Sequence, residues 1–155
     1  VYDNRAVFTN SKGIPTSTEI AHYYMNNNTT TTVINNLNTP VKVEGVTINS
    51  TITQKFLITN NRAIYTGAST RFFKITGVAS ITSGNNNQVG VYIAKNGVVL
   101  EETEQYLTTN GAGRAENVNF QGLVELSNNQ YVEVYTENNS AINNILFTNL
   151  SIILI

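Results

Sequence analysis

The residue types that most often build catalytic or metal sites are scarce in this chain of 155 residues. His22 is the only histidine, Asp3 is the only aspartate, and cysteine is absent. A Ser-His-Asp triad needs a carboxylate and a nucleophile beside the imidazole, but Asp3 lies in an N-terminal segment with few apolar residues. His22 stands in an apolar run beside Tyr23 and Tyr24. We therefore interpret His22 as a packing or inter-chain contact residue.

One local cluster of carboxylates stands at Glu101, Glu102 and Glu104, beside Gln105 and Tyr106. A pair of carboxylates could serve a glycosidase, one as acid and the other as base or nucleophile. In an extended strand Glu102 and Glu104 share a face, but nothing near them in the sequence separates an acid role from a base role. We interpret the cluster as a solvated strand edge, with a metal or sugar contact as the alternative. The chain has only one aspartate, so it also has few of the carboxylates that a calcium site requires.

The stretch Gly111–Arg114 has part of the pattern of a phosphate-binding loop. It lacks the Lys-Ser/Thr ending and the helix that follows such a loop, so we predict a tip loop. The net charge is −1 and charged residues make up 12% of the chain, which gives no electrostatic attraction to nucleic acid. No apolar run is long enough to cross a membrane. We therefore expect a protein that is not an enzyme, with no cofactor, no metal, no nucleic-acid partner and no membrane insertion.

The elements that must position these residues are strands. The chain contains 25 asparagines and 21 threonines. Threonine suits half-buried strands, and asparagine suits turns and the left-handed backbone region. One methionine and few runs of Ala, Leu, Lys and Glu argue against helices. The composition therefore predicts an all-β fold.

Alternating apolar residues and regular turn signals predict about 8–10 antiparallel strands in a sandwich or closed barrel. Asn60-Asn61 and Asn96-Gly97 are expected to form tight turns, since Asn and Gly accept positive φ. Gly77 falls on the inward side of the strand Thr70–Thr82, where it indicates a bulge. The last strand, Ile145–Ile155, is apolar to its end. It would be an aggregation-prone edge, so we expect it in the middle of a sheet, near the first strand.

The composition changes along the chain and predicts two parts. Residues 1–25 are interpreted as a lead-in that connects to a stalk, because 1–19 hold few apolar residues and the turn formers Gly13 and Pro15. Within them, Ile20–Met25 is a short apolar run that forms either the first strand or a bridge into the domain. Residues 26–155 are predicted as the head domain. The start at Val1 indicates a fragment of something longer.

Seven segments together carry a resemblance to a known family. They are Thr39–Val43, Tyr65–Gly67, Thr82–Asn86, Val91–Gly97, Gly113–Asn117, Val124–Glu137 and Asn138–Ser140. This ordered series resembles the C-terminal jelly-roll head of fibre and structural proteins of tailed phages and some large viruses. That head is similar in topology to tumour-necrosis-factor and complement-type heads, which are trimers. The resemblance spans about residues 26–155, and Thr9–Thr18 looks like the segments that join fibre stalks to heads.

The resemblance implies a jelly-roll β-sandwich that forms a homotrimer in a surface appendage of a virion. Its expected partners are copies of itself, other virion proteins on the N-terminal side, and a host surface glycan or protein receptor. Two alternatives stay open: a purely structural capsid or baseplate decoration module, and, more remotely, a polysaccharide depolymerase.

Two groups of residues are candidates for these contacts. Strand parity places Tyr92, Tyr131 and Tyr135 on the sides of their strands that face away from the core. Large aromatic side chains on an outward side favour an interface, so we predict that they pack at the trimer axis. Scattered surface tyrosines and receptor contact are the alternatives. The residues predicted as ligand or receptor loops are Asn85, Asn86, Asn87, Asn110, Arg114, Asn138 and Asn139.

Overall fold

The computed structural model describes residues 19–111 and 113–155, and it is built almost entirely of antiparallel strands. The described residues form β1 Ala21–Met25, β2 Val41–Lys42, β3 Ile48–Asn49, β4 Phe56–Thr59, β5 Arg62–Tyr65, β6 Arg71–Thr82, β7 Asn85–Lys95, β8 Val98–Val99, β9 Gln105–Asn110, β10 Glu116–Leu126, β11 Tyr131–Asn138 and β12 Leu146–Leu154. The sequence predicted about 8–10 strands, and the excess comes from β2, β3 and β8, which have two residues each.

The strands form two sheets that pack face to face. The five-stranded sheet has the order β10-β6-β12-β1-β3. The seven-stranded sheet follows β4-β5-β11-β7-β8, with β2 paired to β11 and β9 paired to β7. The predicted jelly-roll sandwich is confirmed. The apolar β12 lies between β6 and β1, in the middle of its sheet as expected.

Alternation along the strands fills the space between the sheets with apolar side chains. In β6, Phe73, Ile75, Ala79 and Ile81 are all buried, and every second residue of the other long strands joins them in one core. Near one end of the core, the rings of Phe56, Tyr65 and Phe73 pack with centroids 5.0–5.3 Å apart. Such tilted and edge-to-face contacts stabilise the core beyond the area that they bury.

Gly77 does not mark a bulge, so that prediction was wrong. The pairing of β6 with both β10 and β12 is regular at this residue, and the irregularity of β12 lies between Phe147 and Asn149. A Cβ atom on Gly77 would stand 2.2 Å from Cζ of Phe120 and 2.9 Å from Cδ1 of Ile152. Glycine is needed here because the Phe120 ring occupies the place of a side chain.

The predicted tight turns are confirmed. Asn60 and Asn61 connect β4 to β5 with φ values of 49° and 55°, and Asn96 and Gly97 connect β7 to β8 with φ values of 51° and 80°. Two successive residues with positive φ match the right-handed twist of the flanking strands. Local sequence therefore fixes these two connections.

The chain enters the sandwich at the end where β6 begins. The Glu19 carboxylate accepts a hydrogen bond from the Tyr65 hydroxyl at 2.9 Å and pairs with Arg71, the first residue of β6. β1 is the first strand of the described residues and lies inside the five-stranded sheet, so Ala21–Met25 pack as part of the sandwich. The rest of the predicted lead-in, residues 1–18, lies outside the described residues.

Candidate interaction surfaces

The outward side of the five-stranded sheet, called here the five-stranded face, is a continuous surface whose rows follow from the strand register. One row runs Asn119, Val78, Ser151, Tyr24, Ile48, and the next runs Gln121, Thr76, Ile153, His22. Nearer the start of β6, Lys74 pairs with Leu123 and Phe72 pairs with Glu125. The face therefore combines apolar side chains with neutral polar ones, and Lys74 and Glu125 carry its charge.

Several large apolar side chains on this face are exposed to solvent. The exposed fraction is 67% for Phe72, 66% for Leu123 and 51% for Val78, and Ile48 is also exposed. Single exposed apolar residues are ordinary, but several large ones on the same side of one sheet are more typical of an interaction site. The sequence analysis missed this surface. The sequence does contain a sign of it. Phe72 and Leu123 are apolar at positions where the alternation with the buried Phe73 and Val124 predicts a polar residue.

A shallow groove of about 390 Å³ crosses this face between β1 and β6. The outward side chains that line it include His22, Tyr24, Val78, Ser80 and Ser151. The imidazole Nε2 of His22 lies 3.2 Å from the Ser151 hydroxyl, and its ring centroid is 5.7 Å from that of Tyr24. His22 is therefore a surface residue of the sheet, with no carboxylate among these contacts.

The outward side of the seven-stranded sheet, the seven-stranded face, has a different character because its charged groups bind one another. Glu133 is buried, and its Oε1 lies 3.2 Å from Nζ of Lys42 and 2.9 Å from Nη2 of Arg62. The Arg62 guanidinium also lies 4.2 Å above the ring centroid of Tyr131, in a cation–π contact. A buried carboxylate is tolerated when it is paired in this way.

A second polar cluster on the same face is centred on Tyr92, which is 3% exposed. Its hydroxyl donates to Oε1 of Glu137 at 2.7 Å and also contacts the Glu104 carboxylate. The Asn139 amide donates to the same Glu137 oxygen at 2.9 Å. Burial, followed by the hydrogen bonding of the hydroxyl to Glu104 and Glu137, raises the pKa of Tyr92 far above its ordinary value. The phenol is therefore a neutral hydrogen-bond donor at physiological pH.

The three predicted interface tyrosines lie together on the seven-stranded face. Tyr92 is directly opposite Tyr135 in the β7–β11 pair, and Tyr131 is at the start of β11. Strand parity thus gave the correct side, since none of the three belongs to the core. Tyr92 is already bonded to Glu137, and Tyr131 already packs under Arg62, both within the same chain. Tyr135 is half-buried. Their role at a trimer axis stays a prediction.

The acidic residues are arranged differently from the sequence prediction. Glu101–Thr103 form a 3-10 turn and not a strand, so Glu102 and Glu104 do not share a strand face, and Glu104 reaches Tyr92. Glu104 and Glu137 do converge on one phenol, but Tyr92 and Glu137 are 3% and 4% exposed. A glycosidic bond could not reach them there. Within the described ranges, no group of three His, Asp or Glu side chains is placed to hold a metal, and no helix is long and apolar enough to span a membrane.

The predicted loop residues lie at the end of the sandwich opposite to Glu19, but several belong to strands. Asn85–Asn87 begin β7, while Asn110 and Asn138 end β9 and β11. The side chains of Asn87 and Asn138 are buried. Asn138 accepts from the backbone N–H groups of Ser140 and Ala141, both at 3.1 Å.

The exposed members of the set are Asn85, Asn86, Asn110 and Arg114, and Asn139 is half-buried. Asn110 donates to the Glu116 carboxylate at 2.6 Å. The Arg114 backbone N–H donates to the Gly111 carbonyl at 3.0 Å, which closes a turn. We call these four exposed residues the tip residues.

Comparison with known proteins identifies the type of fold. Neither a protein-family model nor a curated protein matches the sequence. Among solved structures, the crystal structure of murine APRIL at pH 5.0 is similar with a TM-score of 0.56, and that at pH 8.0 with 0.57. Each has 8% sequence identity and covers 88% of this chain and 99% of the APRIL chain. At this identity the likeness shows the fold alone, a tumour-necrosis-factor-like jelly roll.

Proposed function

We propose that this chain is a non-enzymatic head module of a viral fibre, which trimerises and attaches the virion to a host surface receptor or glycan. The observation that carries the proposal is the exposed apolar set Phe72, Val78 and Leu123 on the five-stranded face. Apolar area in water is unfavourable by about 25 cal/mol per Å². Covering this face with another protein surface removes that cost.

Copies of the same chain fit this face. Most soluble oligomers are symmetric assemblies of one chain, and the family resemblance favours three copies. Lys74 and Glu125 lie on neighbouring strands of the face and have opposite charges. Symmetric copies can therefore bring a cation of one protomer to a carboxylate of the next, which favours a defined register. The seven-stranded face is the weaker candidate because its charges are already paired.

The two ends of the sandwich support the role as a head. Glu19 and Arg71 mark the end where the chain enters, and β6 runs twelve residues away from it. At about 3.3 Å per residue, that strand spans about 40 Å. The tip residues lie at its far end. Their amide and guanidinium groups offer the hydrogen bonds that glycans require, and they face away from the side that joins the rest of the virion.

The assembly is tested by measuring molar mass with light scattering. We expect a trimer for the wild type, a monomer for the double variant F72S/L123S, and a trimer for Y135S. The two variants distinguish the faces, because each replaces aromatic or aliphatic area by serine on one face only. A monomeric Y135S together with a trimeric F72S/L123S would assign the interface to the tyrosines of the seven-stranded face.

Attachment is tested by competition between the isolated chain and virions for host cells. We expect the wild type to block adsorption, and the variant N86A/R114A to remain trimeric with at least tenfold weaker blocking. A glycan array then identifies the ligand class. A matched control is K55Q, which removes the charge of an exposed side chain beside Gln54, the residue that pairs with Ile20 at the opposite end of the sandwich.

A structural decoration module is the second candidate, since the five-stranded face could drive assembly without any ligand. It predicts a trimer that neither blocks adsorption nor binds any glycan or host protein. That outcome would overturn the attachment role and keep the assembly.

A further inference from the structure

We infer that His22 makes assembly through the five-stranded face depend on pH, so that copies associate at neutral pH and separate in mildly acidic solution. This inference rests on the proposed function, because the imidazole is affected only if another copy covers the face.

The position of His22 on the face is the first argument. It stands in one row with Thr76 and Ile153, and it lines the groove between β1 and β6. Its backbone is fixed by Thr53, whose hydroxyl donates to the His22 carbonyl at 3.0 Å and accepts from the His22 N–H at 3.1 Å. The ring is half-buried in the single protomer. A second copy laid on this face would therefore cover the imidazole.

The second argument is the absence of a counter-charge among the described residues that pack against the ring. The ring contacts Tyr24 on β1 and Ser151 on β12, its cross-strand neighbour is Ile153, and Val78 and Ser80 on β6 line the same groove. Tyr24 is the only titratable group in this set, and a phenol is neutral at these pH values. Lys74 and Glu125, the ionisable groups of the face, lie on β6 and β10, and β12 separates those strands from β1. An imidazolium at His22 therefore depends on water for its stabilisation.

These two observations set the sign of the pH effect. Histidine is the side chain whose charge ordinarily changes between pH 5 and 8. In the proposed assembly Glu125 of the covering copy pairs with Lys74, so covering the ring removes water from the charged form and disfavours it. The separated protomer binds a proton more readily than the assembled one, so association strengthens as pH rises and weakens as pH falls. The Ser151 hydroxyl can donate to the neutral ring, which suits the assembled state.

The experiment measures the self-association constant at pH 7.5 and pH 5.5 at one ionic strength. Because histidine ordinarily changes its charge within this interval, we expect association of the wild type to weaken about tenfold for each covered ring. The variant H22Q keeps a polar side chain that does not titrate, and we expect its association to change less than twofold.

Three outcomes would overturn the inference while leaving the proposed assembly intact. They are equal association of the wild type at both pH values, equal weakening of wild type and H22Q, and stronger association at pH 5.5. A wild type that is monomeric at pH 7.5 would instead overturn the assembly itself.

A second measurement needs no variant. Because the sequence contains one histidine, the imidazole C–H resonances in an NMR spectrum belong to His22 and need no separate assignment. We expect a lower titration midpoint in the concentrated, assembled protein than in the dilute protomer. Equal midpoints would contradict the inference even if H22Q failed to fold.

Discussion

The two outward faces of the sandwich use their polar and aromatic side chains in opposite ways. On the seven-stranded face, Glu133 is paired with Lys42 and Arg62, and Tyr92 is bonded to Glu137 within the same protomer. On the five-stranded face, Phe72 and Leu123 are about two-thirds exposed. The polar clusters of the seven-stranded face find their partners within the protomer, although Leu57, Val98 and Tyr106 of that sheet are exposed. The five-stranded face has exposed apolar side chains and no comparable cluster of paired charges among the described residues. An outward aromatic residue is therefore no sign of an interface until its own partners are known.

The largest effect on stability is expected on the seven-stranded face, at Glu133. Replacing it by alanine leaves Lys42 and Arg62 without their carboxylate. Their side chains are 17% and 26% exposed and can partly hydrate, so we expect a loss of about 2–3 kcal/mol in the free energy of unfolding, below the range for fully buried pairs. Urea denaturation measures it. The control E125Q, on the other face, should stay within about 0.5 kcal/mol of wild type. Equal values for both variants would remove the distinction between the faces.

A smaller loss is expected for Y92F. The substitution keeps the buried ring and removes the hydroxyl that joins Glu104 and Glu137, so two carboxylates lose a shared donor. A buried acceptor left without its donor costs about 1–3 kcal/mol. Because the Asn139 amide still donates to Glu137, we expect a loss of about 1 kcal/mol by urea denaturation. The matched control is Y24F on the five-stranded face, expected within about 0.5 kcal/mol. If Y24F proved the more damaging, the hydroxyl of Tyr92 would not be the stabilising element.

Local signals in the sequence predicted the fold. They could not predict which side chains meet in the polar clusters of the seven-stranded face. Alternation in β6 predicted its buried residues, and Asn96-Gly97 predicted a turn, because both patterns act within a few residues. Arg62 meets Glu133 across 71 positions of sequence, and Tyr92 meets Glu137 across 45. Parity gave the side on which each residue lies but not its partner. It failed at Glu102, where a 3-10 turn replaces the expected strand. At Gly77 parity gave the inward side correctly, but the predicted bulge is absent because a ring from β10 sets the constraint.

The smallest effect on stability is expected on the five-stranded face. In dilute solution, where the protomer is monomeric, L123S should change the free energy of unfolding by no more than about 0.5 kcal/mol, because its side chain is already in water. The same substitution should weaken association strongly. Thermal unfolding at two protein concentrations measures both, since only an assembled protein melts at a concentration-dependent temperature. A large loss in the dilute monomer would show that Leu123 stabilises the protomer itself.

The buried asparagines at the far end of the sandwich have a consequence for variation. Asn138 holds the start of its loop through the backbone of Ser140 and Ala141, and its amide reaches the Asn143 carbonyl at 3.3 Å. The Asn87 amide reaches the Ser83 hydroxyl at 3.4 Å. The framework of the tip is thus encoded separately from the four tip residues that it displays. Selection, or a combinatorial library, can exchange Asn85, Asn110 and Arg114 for new specificities, whereas Asn86, with a φ of 53°, needs a residue that accepts the left-handed region.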